Sequence, residues 1–137
     1  NARRHGVQDR MELFQGDWLA PLITEKKKVD ILVSNPPYIP TQTIPELMAR
    51  VKEHEPHLAL DGGSDGLDPY RRIAAQLKQV LQVPALVALE IGTGQGTDVV
   101  SILKQRWTPK ADTRILLDLA GHERIVLASN EKLPDSL

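Results

Sequence analysis

The sequence predicts an α/β fold: an open, mostly parallel sheet with an antiparallel hairpin at its C-terminal edge. Three observations support this. Val29–Ser34 and residues 86–91 are short apolar runs of the kind found in parallel strands covered on both faces. Helical 3, 4 spacing of apolar residues lies between these runs and recurs after the second. Residues 114–119 and 124–128 are two further strand-like runs, and the short turn between them fits an antiparallel return.

Taken in order, residues 1–5 read as the end of a helix closed by Gly6, since a residue without Cβ tolerates positive φ. Residues 11–15 alternate apolar and polar side chains and read as a short strand, broken by Gly16-Asp17. The Val29–Ser34 strand ends sharply at Asn35-Pro36-Pro37, because consecutive prolines cannot continue a ladder. Residues 43–52 have helical character, and 61–66 form a glycine-rich loop. Asp68 is expected to N-cap the next helix, with Pro69 at its first position. Its buried stripe is Leu67, Tyr70, Ile73, Ala74, Leu77, Val80 and Leu81, and Pro84 is expected to stop it. The 86–91 strand runs into Gly92-Thr93-Gly94-Gln95-Gly96, and a helix over 97–107 buries Val99, Val100 and Leu103. The hairpin turns at Ala120-Gly121-His122-Glu123. Ligands of such sheets bind beyond the carboxyl ends of the strands, which directs attention to Gly16-Asp17, Asn35 and Gly92.

The 137 residues suffice for one core, and 41% apolar with 26% charged residues argues against disorder. No apolar run approaches the ~18 residues of a membrane span, and no secretory h-region opens the chain, so no membrane partner is expected. Cys is absent, which excludes disulfides and cysteine zinc sites and fits a reducing, cytoplasmic setting. The net charge of −1 lacks the basic excess of a protein that grips many phosphates, so direct nucleic-acid binding is not expected. Lys26-Lys27-Lys28 sits beside Glu25 and Asp30 and reads as solvated surface.

The motif with chemical content is Asn35-Pro36-Pro37-Tyr38 at the exit of a buried strand. An amide or aromatic amine attacks poorly because its lone pair is delocalised. To alkylate it, a site must hold both N–H groups and aim the nitrogen. Two acceptors can do so, namely the Asn35 side-chain oxygen and a main-chain carbonyl, best supplied by Pro36. The prolines hold that carbonyl by fixing φ near −65°. Tyr38 offers a flat face to a planar acceptor. No strong base is needed beforehand, because the product cation can lose its proton afterwards. Catalysis then rests on positioning and on acceptors aimed at developing charge. The plainer reading is a rigid turn.

Together with Val29–Ser34, this motif resembles the one shared by adenine-N6 and glutamine-N5 methyltransferases. Further pieces narrow the resemblance. They are Gln15-Gly16-Asp17-Trp18-Leu19, Glu55-Pro56-His57-Leu58-Ala59-Leu60-Asp61-Gly62-Gly63, Asp65-Gly66-Leu67, Tyr70-Arg71-Arg72-Ile73, Glu90-Ile91-Gly92 with Gln95-Gly96, and Asp118-Leu119-Ala120-Gly121 with Glu123-Arg124. In this order, over nearly the whole chain, they resemble release-factor glutamine methyltransferases of the PrmC/HemK type. The resemblance implies a partial Rossmann-like methyltransferase sheet and S-adenosyl-L-methionine as donor. It implies methylation of the glutamine in the Gly-Gly-Gln motif of peptide chain release factors, the expected partners. It also implies that Asn35, Pro36, Pro37 and Tyr38 line the glutamine site, that Asn35 touches the donor as well, and that Trp18 lies near the donor's adenine with Asp17 beside it.

The family's helical domain, glycine-rich donor loop and ribose-binding acid do not precede Asn1. Residues 1–137 are therefore expected to be the C-terminal portion of a class I catalytic domain without its first two strands, inactive alone and a weak donor binder. The 11–15 strand is expected to leave an edge open to self-association. Glu90 to Gly96 mimics a donor loop, with Asp112 or Asp118 as the later acid. However, the interval from Tyr38 to Glu90 lacks the strands a permuted order needs, so 92–96 reads as a turn. Asp61-x-Gly63-x-Asp65-Gly66 hints at calcium, but its twelfth position is Arg72. Glu53, His54, Glu55 and His57 lack the i, i+4 His pair of a helical zinc site, so no metal is expected. His5 and His122 fall in turns. An adenine-N6 methyltransferase acting by base flipping and a non-catalytic α/β module are the alternatives.

Overall fold

The computed structural model describes residues 1–48 and 56–134. Its helices are α1 (Ala20–Thr24), α2 (Ile44–Met48), α3 (Asp68–Val80) and α4 (Gly96–Arg106). Its strands are β1 (Val29–Ser34), β2 (Leu81–Glu90), β3 (Asp112–Leu117) and β4 (Glu123–Ser129), in the sheet order β1-β2-β4-β3. β1 and β2 are parallel, with Leu32 opposite Val87 and Ser34 opposite Leu89. β4 runs antiparallel to β2 and closes the expected hairpin with β3. The α/β architecture and its antiparallel C-terminal edge are as the sequence implies.

α3 is the clearest case of sequence dictating structure. Tyr70, Ile73, Ala74, Leu77 and Val80 are at most 1% exposed and pack against the sheet face formed by Ala85, Val87 and Leu89 of β2. Val99 and Leu103 of α4 complete this core, with Val126 and Ala128 of β4 beneath them. The opposite face differs: Ile31 and Val33 of β1 are 61% and 76% exposed.

Several expectations are corrected. Residues 11–15 form no strand; they are exposed and make no ladder, held down instead by a Lys27–Glu12 ion pair and by Lys27 over the Phe14 ring. Alternation records which face a strand would bury, and it forms no ladder unless the segment reaches a partner edge. Among the described residues the edges of the sheet are therefore β1 and β3, and its parallel part is the β1–β2 pair. Asp68 is not the N-cap of α3; Leu67 takes that position and makes no side-chain cap. Pro84 does not stop α3, which ends at Val80. Instead Pro84 lies within β2, where the pairing jumps from Val29↔Leu81 to Ile31↔Leu86, so its missing N–H costs no ladder bond. Asn130 spans that irregularity, donating to the Gln82 carbonyl (3.0 Å) and accepting from the Ala85 N–H (2.8 Å).

Other elements agree or were missed. Gly6 closes a single turn with φ +63°, Val7 N–H reaching the Ala2 carbonyl and Gly6 N–H that of Arg3, the pairing of a Schellman cap. α1 has no periodic stripe in the sequence to announce it; its five residues include Pro21 in the first turn. Of the helix expected over 43–52, Ile44–Met48 is helical and 49–52 lies outside the described residues, as do Glu53, His54 and Glu55. Among the described residues, no helix is long and apolar enough to cross a membrane.

Candidate active site

Both parallel strands deliver their C-terminal ends to one place. β1 opens into residues 35–38 and β2 into 92–96. Pro36 is buried and Pro37 and Tyr38 are half-buried, whereas Asn35 is exposed. Among the described residues, the Asn35 carboxamide has no hydrogen-bond partner. A wedge of buried proline thus carries a free amide at the rim, and a cavity of about 210 Å³ follows the motif from Asn35 to Leu60.

The glycine-rich loop braces this motif. Ile39 N–H donates to the Leu60 carbonyl at 3.1 Å, Gly62 N–H to the Ile39 carbonyl at 2.8 Å, and Thr41 N–H to the Gly63 carbonyl at 2.9 Å. Thr41 Oγ1 adds a side-chain contact to the same loop, donating to Asp61 Oδ1 at 2.7 Å. The approach is so close that a Cβ on Gly62 would sit 2.8 Å from Gly66 Cα and 2.9 Å from the Tyr38 carbonyl carbon. Arg71 holds the far side of the loop, 2.6 Å from Asp65 and 2.8 Å from Asp68. Its hydrogen bond keeps the Asp65 carboxyl below the usual carboxylate range. A guanidinium therefore occupies the side from which a cation would approach Asp65, and Asp61 is engaged with Thr41 and the Gly63 N–H. These contacts give the apparent calcium spacing a structural role.

Asp17 and Trp18 lie across from the motif, and together with Pro37 they line a depression of about 530 Å³. Trp18 has φ +52°, a strained value for a residue with a Cβ. The turn is held by Leu19 N–H donating to Gln76 Oε1 at 2.8 Å and by Gly16, where any Cβ would strike the Pro21 ring. The Trp18 side chain packs on the core edge, and Asp17 faces Arg72 at 3.7 Å. All six residues singled out from the sequence thus gather at one end of the sheet, with Pro37 shared by both hollows.

The glycine run after β2 behaves as a turn. Gly96 N–H at the start of α4 donates to Glu123 Oε2 at 3.0 Å, so the protein's own carboxylate meets that helix end. A Cβ on Gly96 would lie 2.7 Å from Ile115 Cδ1 and 2.9 Å from Glu123 Oε2. Asp118 is equally committed, accepting from the Ala120 and His122 N–H groups and from Arg124. Beneath the site, Tyr70 donates to the Glu90 carbonyl at 2.8 Å, and burial pushes its phenol well above its usual range.

Sequence reasoning gave Gln95 no role in the site. Its Nε2 donates to the carbonyls of Tyr38 (3.1 Å) and Gly66 (3.3 Å), and its Oε1 accepts from Gly92 N–H (2.9 Å). The available signal was a long amide side chain set among glycines at a strand exit.

A crystal structure of a release-factor-specific protein-(glutamine-N5) methyltransferase from Alicyclobacillus acidocaldarius is similar, with a TM-score of 0.56 and 28% identity. The match covers 84% of this chain and 56% of that one. Sheet, strand exits and likeness together define the class: an α/β methyltransferase fold. No protein-family model matches the chain. Proteins named release factor glutamine methyltransferase are similar in sequence: 46% identical over 131 residues in Bacillus anthracis, 44% over 128 in Clostridium acetobutylicum and 41% over 133 in Caulobacter vibrioides. These alignments take in 93–97% of this chain and 44–45% of the relatives, so the chain spans less than half their length. In sequence, the chain is similar to a segment of release factor glutamine methyltransferases.

Proposed function

We propose that residues 1–137 are the C-terminal portion of a class I methyltransferase catalytic domain. Within the complete enzyme they hold the glutamine side chain of a release factor's Gly-Gly-Gln motif for N5-methylation. The observation that carries this is the exposed, unpartnered Asn35 carboxamide on a buried proline wedge at the end of β1. A site for a substrate amide needs acceptors that the protein itself leaves free. Asn35 Oδ1 accepts one N–H and the Pro36 carbonyl the other, while Tyr38 packs on the amide plane. Held this way, the nitrogen faces the depression beside Pro37. As the N–C bond forms and the sulfonium S–CH3 bond breaks to leave a neutral thioether, positive charge grows on nitrogen. There the two oxygens would stabilise it without reorganising, and the methylated cation then loses a proton to solvent.

S-adenosyl-L-methionine supplies the electrophilic methyl group. The residues fit part of that donor: the depression next to the motif offers a half-buried indole and, in Asp17, a carboxylate able to accept from an exocyclic amine. Trp18 and Asp17 would hold the adenine end, and Asn35 would meet the reacting end. The donor's other contacts lie with groups this chain does not supply. The chain alone is therefore expected to bind donor weakly and transfer no methyl group; calorimetry showing tight donor binding by residues 1–137 would overturn that division of labour.

The decisive experiment supplies labelled donor to the full-length protein containing this chain, with a release factor, the same factor carrying Gln→Ala in its Gly-Gly-Gln motif, or RNA and DNA as acceptor. Label confined to the intact motif supports the reading. Label on nucleic acid, or label that survives the Gln→Ala change, refutes it.

A further inference from the structure

We infer that Gln95 is a positioning residue of the methyl-acceptor site, fixing the Tyr38 carbonyl and with it the orientation of residues 35–38. This rests on the function proposed above. One carboxamide joins three segments that are distant in sequence: the motif after β1, the glycine-rich loop before α3, and the turn after β2. Its orientation follows from the chemistry of its partners. Gly92 N–H can only donate, while the Tyr38 and Gly66 carbonyls can only accept, so Oε1 must face the former and Nε2 the latter two.

The surroundings are shaped to this clamp. A Cβ on Gly66, which has φ +77°, would collide with the Tyr38 carbonyl oxygen and lie 2.7 Å from Gln95 Nε2. A Cβ on Gly92 would lie 3.0 Å from Gln95 Oε1 and 3.1 Å from the Tyr38 ring. The stem is rigid as well: Gln95 sits at the N-cap of α4, its N–H bonded to the Gly92 carbonyl at 3.1 Å and its carbonyl to Val99 N–H at 3.0 Å. The next residue is tied to β4 through Glu123. The Tyr38 carbonyl is thus consumed within the protein, which leaves Asn35 and the carbonyls before Tyr38 to receive a substrate amide. A shift of ~1 Å in such acceptors can cost on the order of 10²-fold in rate.

The test uses Gln95→Glu, which keeps the side-chain length and the acceptor for Gly92 but turns a carboxylate toward two carbonyl oxygens. Val80→Ala is the control, because it destabilises the core at the far end of α3 without touching Tyr38, the glycine-rich loop or Gln95. In the full-length protein, Gln95→Glu is expected to lower kcat for release-factor methylation about 100-fold, with KM for the donor nearly unchanged. Val80→Ala is expected to lower the melting temperature and keep kcat. Equal loss of kcat in both variants, or an unchanged kcat in Gln95→Glu, overturns the inference. Amide hydrogen exchange gives an arm independent of activity: Gln95→Glu should speed exchange at Ile39 and Gly62 while Val87 and Leu89 stay protected. Unchanged exchange at Ile39 and Gly62 overturns the clamp. If the unaltered enzyme methylates no glutamine, the functional reading falls, whereas the clamp is still decided by exchange.

Discussion

Asn35 and Trp18 stand at the same end of the sheet and place different demands on the fold. Asn35 leaves a polar side chain in solvent that nothing in the fold requires. Asn35→Ala should therefore leave unfolding within ~0.5 kcal/mol of the unaltered protein. Methyl transfer by the full-length enzyme should fall 10²- to 10³-fold, the usual effect of removing one polar group aimed at transition-state charge. Single-turnover kinetics beside urea denaturation would show both effects, and a destabilised Asn35→Ala protein would make Asn35 a structural residue. Trp18, by contrast, accepts backbone strain to keep its indole at the depression. At Asp65, the Arg71 hydrogen bond depresses the carboxyl, and at Asp118 the His122 N–H contributes most to the same direction of shift. A carboxyl with a lowered folded value contributes stability that is fully present above its unfolded value of about 3.9 and is lost as pH falls through the folded one. Unfolding midpoints should thus be flat from neutral pH to about 5 and drop below about 4, and Asp65→Asn should shallow that acid limb. An identical limb in Asp65→Asn would show that the pair contributes nothing.

Among the elements, α3 and the glycine-rich loop carry the site differently. α3 is an anchor: Leu77 is fully buried in the core, and Leu77→Ala should destabilise by about 2–5 kcal/mol in chemical denaturation. The loop is a spacer whose value lies in how closely it approaches Tyr38. Gly62→Ala would push a methyl against two backbones at 2.8 and 2.9 Å, and neither can yield as a side chain does. It should cost about 1–3 kcal/mol and also disturb residues 35–38, so that activity falls more than Leu77→Ala at matched stability would explain. A Gly62→Ala protein of normal stability would show that the loop relaxes freely. α3 was readable in advance because its 3, 4 stripe records one buried face. Residues 11–15 misled because period-2 alternation states what a strand would bury, not whether the segment reaches a partner edge. Pro84 misled for a related reason: only the pairing of β1 with β2 reveals that the ladder skips that position.

At the level of the whole molecule, one sheet face is covered by α3 and α4 and the other presents Ile31 and Val33 on β1, an edge strand with no further partner among the described residues. Unpaired backbone next to exposed β-branched residues recruits further strands. The isolated chain is expected to self-associate with rising concentration, and Ile31→Lys combined with Val33→Lys should return it to a monomer in light scattering. A monomeric unaltered chain would show that this edge is quiet. The sequence by itself determined the α/β class and the α3 core, and it singled out Asn35-Pro36-Pro37-Tyr38 as the candidate site, with Asp17 and Trp18 added by the family resemblance. The class, the core and the four-residue motif are written in local periodicity or in contiguous residues of unusual chemistry. Only the tertiary structure decided which strands form the edges of the described sheet, that Glu123 meets the start of α4, and that Gln95 binds the Tyr38 carbonyl. Those last two contacts join residues 27 and 57 positions apart, and contacts across such separations leave no periodicity in the chain to read.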